Sequence, residues 1–203
     1  MPKLLIASGN PGKLKEIHNL LNNVPVELLT PTDLNLDLEV TETGTSYAEN
    51  AQLKAMNYAQ ASGLWTLADD TGLEVDALEG GPGLKSARIA GPGQSDADRR
   101  KVLLNLLRPF ARPWSARFRC IAVLMDPTGT TDFTEGVCEG EIITQERGDS
   151  GFGYDPIFLL PIGKTMAELT LSEKNELSHR GKAIQAMIPI LVRRLGLNKL
   201  GIN

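Results

Sequence analysis

The chain has 203 residues, 41% of them hydrophobic and 23% charged, with a formal net charge of -4. That is enough chain to bury a core in one large domain or in two lobes sharing one. A mildly acidic balance excludes a broad positive field for a nucleic-acid backbone or an anionic membrane, and leaves only local basic clusters able to bind a small anion.

In chain order, KLLIASGNPGKLKEIHNLL predicts an apolar strand, a Gly/Pro/Asn loop and a helix with Leu14, Ile17, Leu20 and Leu21 at helical spacing. No charged-then-apolar leader precedes the strand, which predicts a cytoplasmic protein. VELLT reads as a second strand. After a polar loop, Ser46 and Glu49 fit a capping box that opens a helix to about Ser62, with Gly63 as its stop. LWTLA and LEVDAL read as two strands on either side of an Asp-Asp-Thr-Gly turn. EGGPGLKSARIAGPG is a long loop of the kind that usually serves function. SDADRRKVLLNLL predicts a helix capped by Ser95. ARFRCIAVLMD and TDFTEGVCEGEIIT read as neighbouring antiparallel strands, and GDSGFGYDPIF as a glycine-rich loop ending in a short strand. The tail from Leu169 is mostly helical, with Pro189 expected to break or kink it. Alternating helices and strands predict an α/β fold with a mixed sheet. The longest apolar runs, such as CIAVLM, are too short to span a bilayer. Cys120 and Cys138 are expected as buried reduced thiols.

Asp69 and Asp70 pose the main question, because adjacent carboxylates repel and desolvate badly. Either they serve a turn or they face a cation. The loop SGNPGK lies where a strand gives way to a helix, so its N–H groups and the helix dipole favour an anion, with Ser8, Asn10 and Lys13 adding polar and positive groups. It is not a Walker A loop: Gly9 and Gly12 are too close together, and Leu14 stands where Ser or Thr would hold magnesium. A tight turn without ligand is the alternative. Glu42, Lys54 (on the same helical face as Asn50), Lys174, His179, Arg180 and Lys182 are each ordinary alone. As a set they offer carboxylates to a hard cation and cations to phosphates, which suggests a nucleoside triphosphate with Mg2+. In GFGYD, Phe152 and Tyr154 are either two core aromatics or open rings on which a purine stacks.

Taken together, SGNPGK, ETGTSYAENAQLKA, LADDTGLEVDAL, GGPGLKSAR, GFGYDPIF and LSHRGKA resemble the inosine triphosphate pyrophosphatase family, hydrolases of non-standard purine nucleotides such as dITP, ITP and XTP. The segments occur in family order and cover nearly the whole chain. The resemblance implies a mixed, elongated α/β sheet with flanking helices over residues 1–203, with two lobes, a central cleft and usually a homodimer. It implies hydrolysis between the α- and β-phosphates to a monophosphate and pyrophosphate, with Mg2+ as cofactor; the acidic charge balance predicts neither nucleic acid nor membrane as partner. By position, Ser8, Gly9, Asn10, Pro11, Gly12, Lys13 and Lys54 would face the phosphates. Glu42 and Asp70 would bind magnesium. Asp70 would take the proton from water with Asp69 in support, and Thr71 would contact substrate. Phe152, Gly153, Tyr154 and Asp155 would form the base pocket with Lys174, His179 and Arg180.

On an extended chain Asp69 and Asp70 point to opposite faces, which predicts different jobs. A strand end would suit them, since ligands of α/β folds bind outside the carboxyl ends of strands. Hypoxanthine and xanthine carry a carbonyl at purine position 6 where adenine carries an amino group, so a donor there, expected to be Arg180, would reject adenine. The alternatives are a Maf-type pyrophosphatase acting on pyrimidine or modified nucleotides, against which SHRGK and GFGYDPIF speak, and a nucleotide sensor without turnover, against which the acid set speaks.

Overall fold

The computed structural model describes residues 1–197. Its elements are β1 (Lys3–Ile6), α1 (Pro11–Leu20), β2 (Glu27–Leu29), α2 (Tyr47–Ser62), β3 (Trp65–Val75), β4 (Pro82–Gly83), α3 (Asp96–Leu107), β5 (Trp114–Met125), β6 (Thr131–Ile142), β7 (Phe158–Leu159), α4 (Leu171–Leu177) and α5 (His179–Arg194). Among the described residues the strands form one seven-stranded sheet in the order β2-β1-β3-β5-β6-β7, with β4 pairing β3. β1 runs parallel to β2 and to β3, in register Leu4↔Leu28 and Leu5↔Thr66, whereas β4 and β7 pair antiparallel. The mixed α/β sheet with flanking helices is the predicted fold class.

Local chemistry sets the helix ends. Asn10 caps α1, with Pro11 at a position whose missing N–H costs nothing. Ser46 caps α2 through the Glu49 N–H, and the Glu49 carboxylate also accepts from the Thr45 N–H and hydroxyl. Gly63, at φ +66°, ends α2 in the left-handed conformation that glycine adopts most cheaply. Ser95 and Asp98 form a complete box at α3.

Two expectations fail for physical reasons. β3 is one continuous strand, so the Asp-Asp-Thr-Gly segment is not a turn: sheet pairing overrides local turn chemistry. What ends is its neighbour. The Ala7 N–H still donates to the Leu67 carbonyl, but the Ser8 N–H folds back to Ile6, so Asp69 and Asp70 lie just past the carboxyl end of β1. Nor does Pro189 break α5. The missing N–H would have met the Gln185 carbonyl, and both residues lie on the exposed side of the helix. The long glycine-proline segment after β3 is anchored to it: β4 pairs with Leu73 and Glu74, and Ser86 Oγ accepts the Leu73 N–H at 2.8 Å.

The chain divides into two compact units. The first comprises Met1–Asp70, Cys120–Gly136 and the described residues from Arg180; the second comprises Thr71–Arg119 and Val137–His179. Strand alternation gives the first unit two cores. Leu4, Ile6, Leu67, Cys120, Ala122 and Leu124 pack with Ile17 of α1 and with Ala183, Ile184 and Met187 of α5. Leu5, Ala7, Ala68, Val123 and Met125 face the other way, onto Ala51, Ala55, Tyr58 and Ala59 of α2. The second unit has its own core around Leu103, Leu107, Trp114, Phe118, Tyr154 and Phe158. Both cysteines are buried, and neither forms a disulfide among the described residues.

Candidate functional site

The same alternation carries the two acids. Asp69 continues the parity of Leu67, so it emerges beside α1 and α5. Asp70 continues the parity of Ala68, so it emerges beside α2. Each helix meets its acid with a cation, which makes two adjacent carboxylates tolerable in a buried strand.

Asp69 is 2% exposed. Its Oδ2 accepts from Lys13 Nζ at 2.9 Å and from Arg180 Nε at 3.3 Å, with Cys120 Sγ at 3.8 Å. Arg180 Nη1 donates to Glu16, a buried acid one turn along α1 from Lys13. Burial alone would raise the Asp69 carboxyl, but Lys13, Arg180 and Lys54 together outweigh it and hold Asp69 well below the usual carboxylate range. Asp69 is therefore a fixed anion that aims Lys13.

Asp70 accepts from Lys54 Nζ at 3.3 Å and from Asn50 Nδ2 at 3.4 Å. Lys54 also donates to Glu42 at 3.1 Å, so one ammonium sits against both carboxylates. Asn50 Oδ1 accepts the Gly44 N–H at 2.8 Å, which ties the Glu42 loop to the helix carrying Lys54. Only glycine allows that approach, since a Cβ on Gly44 would come within 2.7 Å of Asn50 Oδ1. Burial pushes the Asp70 carboxyl up; Lys54 and Lys13 oppose it, and Glu42 and Asp69 add to it, for a net rise. Of the pair, Asp70 is the more basic and suits proton acceptance. Burial works against the Lys54 ammonium, but Asp70, Asp69 and Glu42 hold its pKa above the ordinary lysine value.

Magnesium fits this donor set. It is typically held by one or two carboxylates plus substrate phosphates, and Glu42 and Asp70 are two carboxylates already converging on one cationic group. In the first loop, Asn10 Oδ1 accepts the Gly12 and Lys13 N–H groups at 2.9 and 3.1 Å, and Ser8 Oγ accepts the Asn10 N–H at 3.2 Å. These donors are already satisfied within the loop. Gly9 borders open space and Pro11 is exposed.

In the second unit, Asp155 and Lys174 are buried and paired at 2.5 Å. Asp155 Oδ2 also accepts the Phe152 N–H at 2.8 Å, and Lys174 Nζ lies 4.9 Å from the centre of the Phe152 ring. Phe152 is half-buried, as is Thr71. Tyr154 is not the open ring allowed for: it is buried, its hydroxyl donates to the Ser86 carbonyl at 2.7 Å, and it packs with Phe158 and Ile157. A phenol that needs a partner for its O–H found one in the core. His179 is buried, stacked on Phe118 at 4.6 Å.

Arg180 has contacts that the sequence does not foretell. Its Nε and Nη1 donate to Asp69 and Glu16 in the first unit, which makes it a charge partner of the acid. Glu16 and Asn50 join the site through tertiary contacts, with Arg180 and with Asp70. A signal existed for both: an acid inside the apolar stripe of α1, and an amide four residues from Lys54 on α2.

The sequence model of the Ham1 family matches residues 4–190. A dITP/XTP pyrophosphatase of Synechocystis is 47% identical over 191 residues, covering 93% of this chain and 94% of the relative. One of Desulforamulus reducens is 43% identical, covering 94% and 96%. Among solved structures, a HAM1 protein from Coxiella burnetii superposes with a TM-score of 0.86 at 38% identity, covering 95% of this chain and all of that one. A nucleoside-triphosphatase, dITP/XTP pyrophosphatase, from Mycobacterium abscessus gives 0.72 at 42% identity, covering 93% and 99%.

Proposed function

The chain belongs to the Ham1 family, and from that premise we propose that it hydrolyses non-standard purine nucleoside triphosphates such as dITP, ITP and XTP to the monophosphate and pyrophosphate. Such an activity keeps these nucleotides out of DNA and RNA. The observation that carries the reading is the pair of adjacent buried acids on one strand, each met by its own lysine: Asp69 by Lys13 at 2.9 Å, and Asp70 by Lys54 at 3.3 Å, with Glu42 on the same ammonium.

In the proposed reaction Asp70 takes a proton as water attacks, the α–β phosphoanhydride bond breaks, and pyrophosphate leaves with the electron pair. Lys13 and Lys54 balance phosphate charge, and Asp69 keeps Lys13 aimed. Glu42 and Asp70 would hold Mg2+, which when bound supplies charge neutralisation on the phosphates. Thr71 contacts substrate, and the segment Phe152–Asp155 with Lys174 and His179 receives the base. Action in the cytoplasm as a homodimer belongs to the same proposal; among the described residues no helix is long and apolar enough to cross a membrane.

Product identity tests the reading. With dITP and magnesium the expected products are dIMP and pyrophosphate, and EDTA abolishes their formation. Formation of dIDP and orthophosphate would show a γ-phosphatase instead. Binding without turnover would favour a sensor, and preference for dUTP or dTTP a Maf-type enzyme.

A further inference from the structure

We propose that Asp96 and Arg100 of α3 are positioning residues that clamp Gly153 and thereby set the Phe152 ring against the purine base; this rests on the base-binding role proposed for the Phe152 loop. The two side chains are four residues apart, on one face of the helix. Asp96 Oδ2 accepts the Gly153 N–H at 2.7 Å, and Arg100 Nη1 donates to the Gly153 carbonyl at 2.8 Å. The peptide units on both sides of Gly153 are thus held by one helix.

The clamp is itself braced. Arg100 Nε and Nη2 engage Glu146 at 2.8 and 2.9 Å, and Asp96 Oδ1 accepts from Arg99 Nη1 at 2.5 Å. Asp96 and Asp98 occupy the first turn of α3, where the helix dipole favours negative charge. The loop needs such bracing. Gly148, Gly151 and Gly153 take φ of +80°, +79° and +62°, and a segment this rich in glycine loses much entropy when ordered. On its other side the loop is held by Asp155, which accepts the Phe152 N–H and pairs with Lys174. Asp155 fits only because residue 151 has no side chain: a Cβ there would lie 2.0 Å from Asp155 Oδ2. The Phe152 backbone is therefore gripped from two directions, and its ring is presented with few conformations left to lose on binding.

The test is steady-state kinetics on dITP with wild type, Asp96→Asn, Arg100→Met and Arg100→Lys. Arg147→Met serves as a control that removes an arginine bonded to Glu168 and to the Gly163 carbonyl in the same unit. A loosened clamp raises KM for Arg100→Met by about tenfold, the lower range for losing a charged hydrogen bond, and changes kcat by less than about threefold. dIMP binding, measured by calorimetry, weakens in parallel. Arg100→Lys and Asp96→Asn give intermediate rises, and they carry the test if Arg100→Met does not fold. Arg147→Met leaves KM unchanged. A fall in kcat at constant KM, or unchanged kinetics and dIMP affinity in an active enzyme, would overturn the clamp alone. A wild type inert toward dITP would overturn the parent reading and, with it, the clamp's bearing on the base.

Discussion

Asp70→Asn is expected to lower turnover of dITP at saturating magnesium by at least about a hundredfold, the low end for loss of a general base. Asparagine keeps the size of the side chain and its hydrogen-bonding reach, and removes charge and basicity. The expectation follows from environment. Burial raises the Asp70 carboxyl, and a more basic carboxylate accepts a proton more readily. Asp69, held far into the acidic range by Lys13 and Arg180, is a poor acceptor. Single-turnover rates measure the effect without interference from product release. A near-normal rate for Asp70→Asn would remove it from the proton transfer.

Arg180→Met is expected to cost about 3–5 kcal/mol of stability, because removing one member of a buried ion pair strands the others. Arg180 is 1% exposed and joins Asp69 to Glu16, which are themselves 2% and 3% exposed. Methionine keeps much of the apolar stem, so the loss reports charge rather than volume. Urea unfolding measures it. Combining Arg180→Met with Glu16→Gln should cost less than the sum of the two, because the second change neutralises an acid already stranded. Activity discriminates between the two roles considered for this residue. As the partner of Asp69 it affects dITP and dATP alike, so the ratio of their kcat/KM values stays constant. A donor to the base would make that ratio shrink while stability held.

Most of the fold was legible because its signals are local. The caps at Ser46 and Ser95, the stop at Gly63 and the helical stripe of α1 depend on neighbours in sequence. The separate surroundings of Asp69 and Asp70 were anticipated too, since on an extended chain the two point to opposite faces. Where the structure goes beyond the reading, a distant partner decides. Asp-Asp-Thr-Gly is turn material until sheet pairing holds it extended and cations arrive from α1, α2 and α5. Tyr154 looks like an open ring until its hydroxyl finds the Ser86 carbonyl, 68 residues away in the chain. Arg180 sits in SHRGK beside His179, yet its charge is spent on acids 111 and 164 residues away. Sequence supplied the cations and acids of this site but not their pairing, because pairing depends on tertiary contacts that no local spacing encodes.

The most direct measurement of the central claim is kcat/KM for dITP, XTP, dATP and dGTP, determined side by side with magnesium by release of pyrophosphate. An enzyme for non-standard purines turns over dITP and XTP far better than dATP and dGTP. Hypoxanthine and xanthine offer a carbonyl at position 6 that adenine lacks, and neither carries the amino group of guanine at position 2, so mismatched buried donors count against both standard bases. Equal values for all four nucleotides, or preference for dATP or dGTP, would contradict the account.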